Sequence, residues 1–146
     1  MRLFTLSAAA AIFVMTFSGA SYAQSMSKRD AGLQVLGYAN SIPTMVTYCH
    51  QKYGNVNDIH EAGETWVNYH RSLVREAQRQ TDQAGGIGEF QKKLLDQITE
   101  QQVVQAVDSE ADGELFCSKI ADKLRSGDMN MDKDPDFEQA IAALVE

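Results

Sequence analysis

Cys49 and Cys117, the two cysteines of this chain, are the residues whose chemistry depends most on their surroundings. Cys49 precedes His50, which suggests a thiol beside a base. Adjacent residues of a helix point about 100° apart, however, so His50 cannot readily reach the Cys49 thiol. The chain has no C-x-x-C redox spacing. The two cysteines therefore form either one disulfide or a site with a reactive thiol, and the cellular compartment decides between these interpretations.

The amino-terminal residues predict that compartment. Arg2 precedes an apolar run from Leu3 to Phe17, and small residues then lead to a cleavage point after Ala23, although cleavage after Ala20 also fits. This order is typical of a secretory signal peptide. The run is shorter than the roughly 20 apolar residues that span a membrane. We therefore predict export to the periplasm or the cell exterior.

Export divides the chain into a signal peptide at 1–23 and one domain at 24–146. In an oxidising compartment, two cysteines of a small domain are expected to pair, so we predict a Cys49–Cys117 disulfide. No second long apolar run follows. We therefore expect no stable membrane insertion after cleavage.

The three histidines are candidates for metal binding. His60 and Glu64 are four residues apart and share a helix face, and His70 lies nearby along the same predicted helix. A zinc site needs three or four ligands, whereas this set offers two that certainly share a face. We therefore predict surface or half-buried histidines and no cofactor, and we keep a metal at His60, Glu64 and His70 as an alternative.

A second possible metal site lies between Asp128 and Asp136, where acids or Asn alternate as in the opening of an EF-hand loop. Lys133 stands where such a loop needs glycine, and Gln139 stands where it needs a bidentate Glu. We therefore predict a solvated turn that leads into a helix beginning near Pro135.

The elements that must position these residues are helices, because apolar residues recur at steps of three and four throughout 30–145. Pro43 is expected to separate two helices, and three glycines at 85–88 are expected to end another. The predicted helices cover 30–41, 43–53, 58–83, 89–107, 110–126 and 135–146, and Ser109 is expected to cap the fifth of them. Short turns between amphipathic helices favour a bundle. We predict an all-α bundle of five to six helices, with the disulfide joining the second helix to the fifth.

Five aromatic residues lie in the first half of the domain, namely Tyr38, Tyr48, Tyr53, Trp66 and Tyr69. At helical spacing such residues belong to a core, but Tyr and Trp are also frequent at protein interfaces. Any of them that remain exposed together would form a possible interface.

The segment Ile98-Thr99-Glu100-Gln101-Gln102 is similar to the L-T-x-x-Q motif of the Spy/CpxP family of periplasmic helical chaperones. The resemblance covers five residues, with Ile in place of Leu and one copy where that family shows two. It implies a client-binding surface on this helix.

The charge balance limits the classes of molecule that this chain is expected to bind. Asp plus Glu number 20 against 13 Lys plus Arg, for a formal net charge of −7. Nucleic acid is therefore an unsuitable partner, because its binding relies on Lys and Arg at phosphates. We expect a small exported protein that binds another protein without catalysis, as inhibitor, immunity or chaperone-like proteins do. A bundle that binds a metal or small ligand and a small periplasmic hydrolase are the alternatives.

Overall fold

The computed structural model describes residues 26–145, so the predicted signal peptide at 1–23 lies outside the described residues. Within this part, the chain forms five α-helices and no strand. The helices are α1 (Lys28–Tyr53), α2 (Ile59–Gln83), α3 (Glu89–Asp108), α4 (Gly113–Ser126) and α5 (Glu138–Val145), and short 3₁₀ turns occupy Val56–Asp58, Met131–Lys133 and Pro135–Phe137. The prediction of an all-α bundle of five to six helices with one disulfide is confirmed.

The break expected at Pro43 is wrong, because α1 continues through this residue. Proline removes one intrahelical hydrogen bond and strains the preceding turn. Two hydroxyl groups bond to carbonyl oxygens beside it: Ser41 Oγ donates to Tyr38 O, and Thr44 Oγ1 donates to Asn40 O, both at 2.8 Å. The buried stripe also stays in phase across the proline, from Val35 to Ile42 and Val46. Packing of that stripe outweighs the local cost.

Two glycines bring α1 and α2 into close antiparallel contact. A Cβ on Gly32 would overlap Thr81 Oγ1, and a Cβ on Gly63 would lie 2.8 Å from a Val46 methyl group. Gly32 is near the start of α1 and Thr81 near the end of α2, so the two close approaches secure opposite ends of the helix pair. α1 contacts every other α-helix of the described chain and is the centre of the bundle.

α3 runs parallel to α1. Asn40 of α1 donates to Asp96 Oδ1 of α3 at 3.1 Å, and further along both helices Tyr48 donates to Asp108 Oδ1 at 2.8 Å. The predicted break before α3 is confirmed, since Gly85 has a φ of 103°. Such a positive φ is strained for residues with a side chain.

The disulfide joins α1 to α4. The Cα atoms of Cys49 and Cys117 are 5.7 Å apart, and both side chains are fully buried. They belong to a continuous core that also includes Ile59, Trp66, Leu124, Met131, Phe137 and Leu144. Among residues 26–145, no helix is long and apolar enough to cross a membrane.

Candidate functional site

The five aromatic residues of the possible interface do not form one exposed patch. Trp66 is buried, Tyr38, Tyr48 and Tyr53 are half-buried, and Tyr69 is 59% exposed. Trp66 belongs to the buried core, and Tyr38, Tyr48 and Tyr53 pack against that core, with the Tyr38 ring edge-on and 5.9 Å from the ring of Trp66. The set therefore divides between the core and separate surface contacts.

The residues around Trp66 hold the acidic loop that follows α4. Trp66 Nε1 donates to Met129 O at 2.9 Å, and the Tyr38 hydroxyl donates to the same carbonyl at 3.4 Å. Tyr69 donates to Asp132 Oδ2 at 2.9 Å. Asp128, Asp132 and Asp136 of this loop are exposed, while its main chain is bound to α1 and α2 and leads into α5.

His70 is part of this anchor. Its Nδ1 lies 2.9 Å from Trp66 O, which only accepts, so Nδ1 carries the proton. Its Nε2 then accepts from the Met131 N–H at 3.2 Å. The side chain is buried, with its ring 4.1 Å from that of Trp66. Desolvation is the main reason why the pKa of His70 is lowered from its ordinary value of 6.5, although the Trp66 carbonyl and the Asp132 charge act in the opposite direction.

The lowered pKa of His70 predicts a pH dependence of stability. The unfolded chain binds a proton at pH values near and below 6.5, whereas the folded chain resists it down to a lower pH. The free energy of unfolding should therefore decrease as the pH falls from about 6.5 towards the lowered pKa, and should show no His70 effect above about pH 7. Protonation of His70 at Nε2 would also place an N–H donor opposite the Met131 N–H, so the hydrogen bond between these two atoms would be lost.

Urea unfolding between about pH 8 and pH 5 measures this effect. A His70→Gln variant should be less stable than the wild type at the upper pH, and the difference between them should shrink as the pH falls. His60→Gln is the matched control, since the His60 side chain is 56% exposed. This interpretation is wrong if the free energy of unfolding of His70→Gln decreases with falling pH as steeply as that of the wild type.

The candidate metal ligands do not converge. His60 Nε2 lies 3.6 Å from Glu64 Oε1 on an exposed face, next to the ring of His50. His70 is buried on another side of α2 and uses both ring nitrogens in contacts with main-chain atoms. Within 26–145 no group of three or more His, Cys, Asp or Glu is placed to hold a metal ion.

Two surface grooves flank α1. One, of about 430 Å³, lies against α3 and includes Asn40, Asp96 and Glu100 in its wall. The other, of about 350 Å³, lies against α2 and includes His60 and Val67. Both are open to solvent along the helices, in contrast to the enclosed, largely apolar pockets that hold most small ligands.

The one compact group of ionisable residues at the α1–α3 contact is structural in character. Lys52 and Tyr48 both donate to Asp108 Oδ1. The Asp108 carboxylate raises the pKa of Tyr48 and of Lys52, and the lysine in turn lowers the pKa of Asp108. Each shift moves the pKa of the group further from neutral pH. A general base or nucleophile needs the opposite change.

The first half of α3 is the unusual surface of this protein. Every residue from 88 to 98 is exposed, and four of them are large and apolar. Phe90 is 79% exposed, Leu94 46%, Leu95 48% and Ile98 41%. At about 100° per residue these four side chains fall within an arc of roughly 140°. We call this arc, together with Gln91, Gln101 and Gln102 that lie within it, the outer face of α3.

The opposite side of α3 is polar and points towards the bundle. Asp96 lies there, hydrogen-bonded to Asn40 of α1. Val103 and Val107, in the second half of the helix, are buried on that same side. The amphipathic pattern of the first half is therefore reversed with respect to the bundle, because its charged side faces α1 and its apolar side faces solvent.

Sequence reasoning missed this reversal although the spacing contains it. Phe90, Leu94 and Ile98 follow at steps of four, but the next apolar residue, Val103, comes five positions later. A step of five turns the helix by about 140° away from the previous apolar position. One helix therefore carries two apolar stripes on different sides, and only one of them can face the core.

The segment similar to the chaperone motif lies at the end of the outer face. Ile98, Gln101 and Gln102 are on the exposed arc, and Glu100 is on the side of the α1 groove. Comparison with protein-family models, with characterised proteins and with solved structures finds no match to this chain.

Proposed function

We propose that this protein binds another protein without catalysis, in the periplasm or outside the cell, through the outer face of α3. The observation that carries the proposal is the exposure of Phe90, Leu94, Leu95 and Ile98 on one side of a helix whose charged side faces the bundle. Grouped apolar side chains exposed to water mark interaction surfaces. Helical segments commonly bind through anchors at steps of three and four.

Two further features support a binding function. The Cys49–Cys117 disulfide is compatible with an exported protein. The anchors also stand on a regular helix, which begins after Gly88 with the Gly88 N–H donating to Gln91 Oε1 at 3.3 Å. A pre-organised helix loses little conformational entropy when it binds. A rigid binding surface of this kind favours one defined partner over many different clients.

Site-specific photo-crosslinking in the exporting host cell tests the proposal. A photoreactive amino acid at Leu94 should give a discrete covalent adduct with a protein, whereas the same group at the exposed Ser72 of α2 should give none. Adding Ile98→Glu should reduce the Leu94 adduct at least about tenfold, because a charge then enters the contact. Equal labelling from both positions, or no adduct from Leu94, would exclude the outer face of α3 as the binding site.

A further inference from the structure

We propose that His50 and His60 together bind one divalent transition-metal ion of the Zn²⁺ or Cu²⁺ class, where the end of α1 meets the start of α2. This site uses different residues from the outer face of α3, and it goes beyond the proposed binding of a protein. Three observations carry it: the distance between the two rings, their accessibility, and the close helix contact beside them.

The spacing of the two rings is that of imidazoles that share an ion. Their centroids are 5.7 Å apart, and the ring planes are inclined at 38°. A bound metal ion lies about 2.0–2.1 Å from an imidazole nitrogen, so ligand angles between about 90° and 180° place the two ring centres about 4.5–6.4 Å apart. The observed distance falls within this range. Rotation of two side chains is therefore enough to point one nitrogen of each ring at a common ion.

Both imidazoles are accessible to a ligand, in contrast to that of His70. His50 and His60 are exposed. His60 Nε2 lies 3.6 Å from Glu64 Oε1, which is longer than a hydrogen bond. His70 is buried and uses both ring nitrogens in contacts with main-chain atoms. The structure therefore places His50, and not His70, beside His60 as the second ligand.

Two exposed carboxylates next to the rings favour a cation. Glu64 lies one turn after His60, and Glu61 is its neighbour in the sequence. The hydrogen bond from Asn55 is the main reason why the pKa of Glu61 is lowered, and the charges of His60 and His50 contribute. Within residues 26–145 no set of three His, Cys, Asp or Glu converges on one ion. Water must therefore complete the coordination, and binding should be weaker than at a structural zinc site.

The fold fixes the main-chain positions of both ligands. Gly63 of α2 lies so close to α1 that a Cβ there would be 2.8 Å from a methyl group of Val46. His50 is one turn after Val46, and His60 is about one turn before Gly63 on the antiparallel helix, so both border this contact. The adjacent Cys49 is bonded to Cys117. The rings are brought together by folding, so the folded chain should bind the ion more tightly than the unfolded chain.

Titration calorimetry of the protein, in the form that its host cell exports, measures binding of Zn²⁺, Cu²⁺ and Ca²⁺ in turn. We expect one Zn²⁺ or one Cu²⁺ per chain with a Kd below about 100 μM. Cu²⁺ should bind more tightly than Zn²⁺, because nitrogen ligands follow that order, and Ca²⁺ should not bind, because it needs oxygen ligands.

Removal of either ring should weaken binding of Zn²⁺ at least about tenfold, since a single imidazole cannot chelate. His50→Gln, His60→Gln and the double variant should therefore lose similar amounts, because the two rings act on one ion. The matched control is His60→Gln combined with Ser72→His. It keeps three histidines and places the new one on exposed α2, four residues before Glu76, as His60 is four residues before Glu64. This control should bind no better than His60→Gln alone.

Urea unfolding provides an independent measurement. Free Zn²⁺ at about ten times its Kd should raise the ratio of folded to unfolded wild type about tenfold. The same concentration should leave the unfolding midpoint of the His50→Gln/His60→Gln variant unchanged. Circular dichroism shows whether each variant keeps its helix content, as expected for exposed positions.

Absence of Zn²⁺ and Cu²⁺ binding up to about 1 mM overturns the proposal. Binding that persists unchanged in the His50→Gln/His60→Gln variant also overturns it, because the ion would then be held elsewhere on the chain. Recovery of binding in the Ser72→His control would show that the number of histidines matters and not the pairing of these two. Photo-crosslinking at Leu94 does not involve these residues, so the proposed protein-binding function stands or falls separately.

Discussion

Replacement of both Cys49 and Cys117 by alanine is expected to lower the free energy of unfolding by about 4 kcal/mol. The two residues are 68 positions apart, and the chain-entropy model assigns about this value to a loop of that length. The loop contains the whole of α2 and α3. The loss would be a large share of the ~5–15 kcal/mol that stabilises a typical domain.

Guanidinium unfolding of the wild type and of the Cys49→Ala/Cys117→Ala variant measures the difference. Addition of a thiol reductant should bring the wild type close to the stability of the variant, and should leave the variant itself unchanged, which controls for other effects of the reductant. A difference below about 1 kcal/mol would show that the bond restrains the unfolded chain much less than the entropy model requires.

The consequence of this bond for the candidate site is indirect. Cys49 lies near the end of α1, on the stretch of that helix that also carries Tyr48 and its hydrogen bond to Asp108 of α3. The disulfide therefore secures the part of α1 on which the second half of α3 is packed. The first half of α3 has no such support, since every residue from 88 to 98 is exposed.

Gly32→Ala is the second change expected to have a large effect, about 3 kcal/mol of lost stability. A Cβ at this position would overlap Thr81 Oγ1 and lie 2.8 Å from the Ala77 carbonyl oxygen of α2. The carbonyl belongs to the main chain of a packed helix, so it cannot turn aside as a side chain can. Overpacking of this kind typically costs 1–3 kcal/mol, and occasionally more.

Gly37→Ala on the same helix is the matched control and should have the opposite sign. Nothing lies within 4 Å of a Cβ at Gly37. The substitution should therefore stabilise the protein by up to about 1 kcal/mol, because alanine favours the helix and restricts the unfolded chain. Thermal or urea unfolding of the two variants and of the wild type measures both changes in stability.

A partial rescue would identify the cause. Combining Gly32→Ala with Thr81→Ala removes the Thr81 side-chain clash but leaves the Ala77 carbonyl oxygen in place, so we expect only part of the stability to return. Two destabilising changes that simply add would contradict this explanation, since substitutions that share one contact should not be independent. If Gly32→Ala were as stable as the wild type, the close contact between α1 and α2 would be absent.

Several elements followed directly from local residue chemistry. The glycines at 85–88 end one helix and precede another, as expected from their freedom at positive φ. Asp134 caps a helical turn that begins at Pro135, as expected, with Asp134 Oδ1 accepting from the Asp136 N–H at 2.9 Å, but this turn is a 3₁₀ turn and the α-helix begins at Glu138. Both signals act over a few residues, and tertiary contacts do not have to supply them.

The proline in α1 shows where local reasoning fails. Pro43 disfavours a helix at its own position, but Ile42 and Val46 on either side are buried against neighbouring elements. A single continuous helix buries both residues, and the free energy gained by packing it exceeds the local cost of the proline. The phase of the apolar stripe across Pro43 was available in the sequence and would have predicted the outcome.

Residue patterns along the chain were enough to predict that it is helical, to place most of its helix ends, and to expect a Cys49–Cys117 pair in an exported protein. Periodicity, capping and composition are local, so they are readable without the fold. Two features depend on how the helices pack: Trp66 and His70 hydrogen-bond a loop about 60 residues away, and Phe90, Leu94, Leu95 and Ile98 face solvent. An apolar stripe in the sequence does not specify which neighbouring helix will cover it, because burial depends on the arrangement of every helix in the bundle.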